Sequence, residues 1–279
     1  MIEHILIATD GSAHSRTALE YGIYIARKLE ARLTGLHVME LLQLQAPVFS
    51  DISGSIGIPP CQEFLPVMEN TLETKADSIL KGFRQRCEEA GLKPDVKKRL
   101  GVIDEIIIEE GRQADWIILA QRGEHFHLGG GAILGTTAES VVRKSGKPVL
   151  VTPATYRDIE SMALAYDGSP PADKALKMAA ELSEKAAWPL TVVTVSNDPA
   201  VSDRVCKQAE TLLDAWIIDW DIIQLTGKED REILRFLQDG SAELLVMGAY
   251  GHNRLRELLV GSTTSNVIRK SPVPVLLTR

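Results

Sequence analysis

Three shortages set the first limits on this chain. Cysteine is scarce: 279 residues hold three, Cys61, Cys87 and Cys206. They are odd in number, scattered and without a CxxC pair, which argues against a disulfide framework or a zinc cage. A reducing cytoplasm fits that usage. Long apolar runs are missing, since none approaches the ~18 residues that suggest a membrane span. Residues 1–7 enter an apolar strand-like run with no basic stretch ahead of a long apolar one, so no leader peptide is expected. Positive charge is in deficit. A formal net charge of -7 argues against a broad electrostatic grip on nucleic acid or anionic membrane. Any anion bound here must be held by local geometry, through backbone N–H groups and a few arginines.

What is present is the make-up of an ordinary soluble globular protein, long enough for about two domains. The chain also repeats itself. His4-Ile-Leu-Ile-Ala-Thr-Asp10-Gly11-Ser12 returns as Ser161-Met-Ala-Leu-Ala-Tyr-Asp167-Gly168-Ser169. Asp115-Trp-Ile-Ile-Leu-Ala-Gln-Arg-Gly123 matches Glu243-Leu-Leu-Val-Met-Gly-Ala-Tyr-Gly251, and 142–150 matches 268–276. A repeat this long is a duplicated domain rather than a solenoid unit. The expected domains are 1–155 and 160–279, joined by a short polar stretch.

Each copy reads as alternating strands and helices. Strands are expected at 5–9, 33–38, 95–100, 116–120 and 149–152, then at 163–166, 191–195, 220–225, 244–247 and 275–278. Several are near-continuous apolar runs, as in a sheet covered on both faces. Ser169 before Pro170 looks like an N-cap followed by proline at the first helical position. The alternation implies an α/β fold: two repeated doubly wound domains, each a five-stranded parallel sheet of order 3-2-1-4-5 with helices on both faces. Copy one carries a long insert, 40–66, rich in Ser, Gly and Pro. Copy two goes almost directly from its second strand into a helix near 200–215.

The chemistry concentrates in copy two. Gly248-x-x-Gly251, nine residues, then Gly261-Ser262 starts at a strand end and closes at a helix start, where open α/β sheets bind ligands. Gly248 would let a ligand approach without a Cβ in the way. Gly261 would let the returning backbone come close to an anion. Ser262, Thr263 and Thr264 offer hydroxyls and N–H groups at a helix N-terminus, whose dipole favours phosphate. Arg254 and Arg256 could reach phosphate oxygens. Asp167 ends the first strand and would face Gly248 across the crevice between strands one and four. A carboxylate there can serve a ribose or adenine, or simply close an Asx-turn.

These motifs make the chain resemble a tandem universal stress protein, and the resemblance covers nearly all of it. It implies ATP, with Mg²⁺, held by Asp167, Ser169, Val195, Met247, Gly248, Gly251, His252, Arg254, Gly261, Ser262, Thr263 and Thr264. It also implies that the copies pair within one chain through their last strands, and that chains form homodimers through sheet edges. Copy one departs from the pattern. Ala120 replaces the first glycine, and eleven residues, not nine, separate Gly123 from Gly135. One competent site per chain is therefore expected, in the C-terminal domain. Asp10, Gly123, Gly135, Thr136 and Thr137 survive in copy one.

The function expected is a nucleotide-dependent regulatory or stress-response protein with an unidentified protein partner. A weak ATP hydrolase or nucleotidyl-transfer enzyme on the same fold is the alternative, although the loop holds no lysine and no Walker A pair. A scaffold with ATP as structural filler is a third reading. His125 and His127 read as a solvated loop rather than a metal site, Trp216 and Trp220 as core or subunit interface, and Lys97-Lys98-Arg99 as a solvated strand end.

Overall fold

The computed structural model describes residues 2–40, 64–123, 136–249 and 262–278. In copy one the order is β1 (His4–Ala8), α1 (Ala13–Leu29), β2 (Arg32–Glu40), α2 (Phe64–Glu89), β3 (Asp95–Gly101), α3 (Ile103–Gly111), β4 (Trp116–Ala120), α4 (Thr136–Lys144) and β5 (Val149–Thr152). Copy two follows as β6 (Met162–Ala165), α5 (Pro170–Ala186), β7 (Leu190–Val195), α6 (Pro199–Leu213), β8 (Trp220–Leu225), α7 (Glu229–Gln238), β9 (Leu244–Gly248), α8 (Ser262–Lys270) and β10 (Val275–Thr278). All ten expected strands form, with ends displaced by two residues at most.

The two five-stranded units join into one ten-stranded sheet of order β3-β2-β1-β4-β5-β10-β9-β6-β7-β8. Within each copy every pairing is parallel. Between copies β5 and β10 run antiparallel, with Val275 opposite Val151, Leu276 opposite Leu150 and Leu277 opposite Val149. All six are buried. The copies thus pair within the chain through their last strands, and their strand C-termini point to opposite ends of the sheet.

The apolar core is sorted by sheet face rather than by copy. One cluster takes Ile5, Ile7 and Leu150 together with Leu164, Val246 and Leu276, under α1, α2, α5 and α6. The other takes Leu6, Ile117 and Val151 together with Ala163, Leu245 and Val275, under α3, α4, α7 and α8. Alternation of side chains along each strand produces this division. On the first face Tyr24 of α1 stacks on Trp188, which follows α5, with centroids 6.2 Å apart and planes 7° from parallel. Lys185 Nζ donates to the Leu29 carbonyl at 2.8 Å. The Tyr24 hydroxyl donates to the Ile159 carbonyl and the Tyr21 hydroxyl to that of Thr155. These bonds fasten the connecting stretch to α1.

The helices start where the sequence marks them. Ser12 Oγ accepts from Ser15 N, and Ser169 Oγ from Ala172 N, at the heads of α1 and α5. Both helices end on a non-glycine residue in the left-handed region, Glu30 and Ala187. The outer strands are guarded in different ways. On β3, Lys97 and Arg99 pair with Glu110, and Lys98 pairs with Asp77 at 2.8 Å. The basic run therefore neutralises acids on α2 and α3 rather than standing in solvent. On β8, Asp221 Oδ1 accepts from Ile222 N at 2.8 Å. Such devices blunt a sheet edge. Trp216 and Trp220 pack against the core, half-buried.

Trp188 joins the two copies through one ring. Trp188→Ala is expected to lower unfolding stability by about 3–5 kcal/mol, read from urea denaturation followed by far-UV circular dichroism.

Candidate functional site

In copy two the crevice begins where β6 turns into α5. Asp167 Oδ1 accepts from Ser169 N at 3.0 Å, an Asx-turn. Gly168 sits at φ 74 to make that turn. Ser169 then spends its own hydroxyl on Ala172 N at 3.3 Å, and it is buried. The structure therefore uses Ser169 as the cap of α5. Asp167 is exposed, with one oxygen engaged in the turn. Copy one repeats the arrangement: Asp10 Oδ1 accepts from Ser12 N at 2.9 Å, with Gly11 at φ 79.

Across the crevice stands the end of β9. Met247 is buried, paired with Leu277 on one side and Ala165 on the other. Gly248 closes the strand opposite Thr278. A Cβ on Gly248 would lie 2.8 Å from the Pro171 carbonyl carbon and 2.9 Å from Ala172 N. The close approach that this glycine permits in the structure is to the backbone of α5. Copy one carries Ala120 at the matching position, so its strand end tolerates a methyl. Gly123 in copy one shows the two walls meeting: a Cβ there would stand 3.1 Å from Asp10 Oδ2. In copy one, Asp10 and Gly123 therefore face each other.

Val195 ends β7 opposite Leu225, half-buried. At the far side of the crevice α8 supplies its first turn. Ser262 is exposed, Thr263 half-buried and Thr264 buried. That turn holds no acidic residue, so no carboxylate of its own competes for the helix N-terminus. Gly251, His252, Arg254, Arg256 and Gly261 lie outside the described residues, as do Gly135, His125 and His127.

A polar contact below the site escaped the sequence reading. Asn266 of α8 donates to Asp230 Oδ2 of α7, and Lys228 approaches the same carboxylate. Copy one places Asp104, Ser140 and Lys144 in the same relation: Ser140 Oγ donates to Asp104, and Lys144 Nζ does so at 2.8 Å. Burial alone would raise both carboxyls, but these donors outweigh it and hold Asp104 and Asp230 below the ordinary carboxylate range. Each contact ties the last helix of its copy to the helix before it. A second network belongs to copy two. Tyr166 donates to Asp173 Oδ1, Gln208 Nε2 donates to the same oxygen at 3.0 Å, and Gln208 also reaches the Gly168 carbonyl. Burial first, then Asp173, pushes the Tyr166 phenol well up, so it stays a donor. Copy one has Thr9 and Arg16 at the first two positions.

Among the described residues no group of three or more His, Cys, Asp or Glu could hold a metal. His4 Nδ1 donates to the Gln113 carbonyl and its Nε2 accepts from Thr34 Oγ1. His37 Nδ1 donates to the Thr9 carbonyl at 2.7 Å. Cys87 is buried, and burial pushes its thiol up to about 12. No described helix is long and apolar enough to cross a membrane.

The universal stress protein family model matches the chain twice, over residues 1–153 and 159–279. A universal stress protein of Synechocystis is 32% identical over 289 residues, covering 100% of both chains. One from Mycolicibacterium smegmatis is 24% identical over 99% of this chain and 96% of its own. Among solved structures, a universal stress protein from Archaeoglobus fulgidus superposes with a TM-score of 0.78 at 24% identity, over 99% of this chain and 98% of that one.

Two outcomes are expected from this geometry. Gly248→Ala should cost about 1–3 kcal/mol, because the methyl meets backbone that cannot move aside cheaply; thermal unfolding would read it. Asp104 and Asp230 have folded pKa values below the unfolded value near 4. Their stabilisation is therefore complete above about pH 4 and lost as pH falls through the folded values. The Asp104→Asn/Asp230→Asn variant should be less stable at neutral pH and show a flatter loss of stability on acidification, measured by urea midpoints from neutral pH downward.

Proposed function

Because the chain belongs to the universal stress protein family, we propose that its C-terminal domain binds ATP and that occupancy regulates the protein's contacts with a partner. In this reading residues 160–279 carry the working site and residues 1–155 a degenerate twin. Asp167 and Val195 take the adenosine end. The glycine loop from Gly248 to Gly261, with Ser262 and Thr263, takes the phosphates, and Arg254 is placed to reach them. Bound ATP with Mg²⁺ would supply a charged triphosphate for α8's first turn to grip.

The observation that carries the reading is a difference between the two closing helices. The first turn of α8 has no acid, whereas that of α4 carries Glu139. The residue of α8 in the place of Glu139 is Ser265. A carboxylate at a helix N-terminus satisfies the same dipole and repels the same anion that a phosphate site needs. Copy one is thus handicapped by charge as well as by its longer loop and Ala120. The free thiols of Cys87 and Cys206 fit a reducing compartment, and we place the protein in the cytoplasm. If chains also pair through sheet edges, β3 and β8 must do it, and Asp221 shields part of β8.

Three measurements test the site. Denaturing the purified protein and quantifying released nucleotide should give one ATP per chain; two would remove the distinction between copies, and none would remove the ligand. Ser265→Glu, which copies Glu139 into α8, should weaken ATP binding by about two- to fivefold, from a dipole effect of ~0.3–1 kcal/mol. Gly261→Val should abolish binding in calorimetry while the far-UV spectrum is kept.

A further inference from the structure

Helix α8 runs between the two crevices. Its N-terminal turn closes the copy-two site. Because β10 lies antiparallel to β5, its C-terminal end arrives at the end of the sheet where copy one's crevice opens. Nine residues cover that span, about 13 Å at the α-helical rise.

At that far end α8 and the residue after it touch copy one twice. Gln121 follows β4 and opens copy one's loop. It is buried, and its Nε2 donates to the Ser271 carbonyl at 3.1 Å. Ser271 in turn donates its N–H to the Val267 carbonyl within α8 at 2.8 Å. On the outside Arg269 Nη2 pairs with Glu139 Oε1, in the first turn of α4, at 3.0 Å.

The pseudo-twofold relation would place matching contacts at the opposite end. The residue matching Gln121 is Ala249, also buried, and its methyl donates no hydrogen bond. The residue matching Glu139 is Ser265, which carries no charge to pair. Both of these contacts join the helix of the intact site to the loop base and helix start of the degenerate one.

We propose that Gln121 is a positioning residue that couples nucleotide occupancy in the C-terminal site to the conformation of the N-terminal crevice, with the Arg269–Glu139 pair as a second, surface link. This rests on the ATP site proposed above. Phosphate drawn to the first turn of α8 acts on the helix as a unit, since its hydrogen-bonded backbone gives it no soft point along its length. The Ser271 carbonyl moves with it, and buried Gln121 must follow or lose its acceptor. The N-terminal copy then serves as the responding surface of the protein rather than as a second nucleotide site.

The test is hydrogen–deuterium exchange on the full chain with and without saturating ATP, read over residues 116–123 and 136–144. Calorimetry on the same samples reports ATP affinity. In the wild type ATP should slow exchange in both segments, and the Gly261→Val chain should show no such response. In Gln121→Ala, ATP should still bind within twofold of the wild-type affinity and still protect 262–270, while the response at 116–123 falls at least threefold. Arg269→Glu should reduce the response at 136–144, and adding Glu139→Arg should restore it. A purely structural role for Gln121 would change exchange equally with and without ATP. Such a result, or a wild-type response in Gln121→Ala, overturns the coupling and leaves the site reading intact. Absence of ATP binding in the wild type overturns both.

Discussion

The antiparallel pairing of β5 with β10 is the constraint on which the rest of the molecule depends. It turns two parallel sheets into one and lets the apolar side chains on each face merge across the seam. It also sends the two sets of strand C-termini to opposite ends of the sheet. Because loops at strand C-termini build the crevices of an open α/β sheet, the two potential sites cannot share a surface. Only elements that run from one end to the other can connect them. Helices α4 and α8 are such elements, and each starts at its own copy's crevice.

Much of this was legible in the sequence because the chain states it twice. The apolar runs of one copy confirm those of the other, and the polar stretch near Pro153 marks the seam. Ser169 with Pro170 reads as a helix start from local rules alone, and α5 begins there. The family model and the full-length relatives agree with the tandem reading. Gly248 was harder. A glycine at a strand end says that something comes close, but only the packed fold says that it is the Pro171–Ala172 backbone. Gln121 and Ser271 are 150 residues apart, and no spacing rule connects them. The Tyr166, Asp173 and Gln208 network had a faint signal, since the repeat sets Tyr166 against Thr9 and Asp173 against Arg16. The Lys97–Arg99 run looked solvated because its acidic partners come from helices on either side of it in the chain.

The two copies differ by small chemical steps. One methyl at Ala120, one carboxylate at Glu139 and two extra loop residues separate copy one from the pattern of copy two. None of these disturbs the strands or the core. Differences of this kind change what a crevice can hold while leaving the scaffold that shapes it. The aspartates below the closing helices, Asp104 and Asp230, are present on both sides with different donors, so the tie between these helices is common to copies whose loops differ.

The sorting of the core by face has a further meaning for how such a chain can change over generations. A duplicated domain with its own core could be deleted once its activity lapsed. Here Ile5 and Leu150 of one copy share a cluster with Leu164 and Leu276 of the other, so deletion would strip the surviving half of its cover. The N-terminal copy is held in place by what it buries, whatever it binds. Its loops are free to drift toward new partners, while its strands answer to the neighbour they shelter.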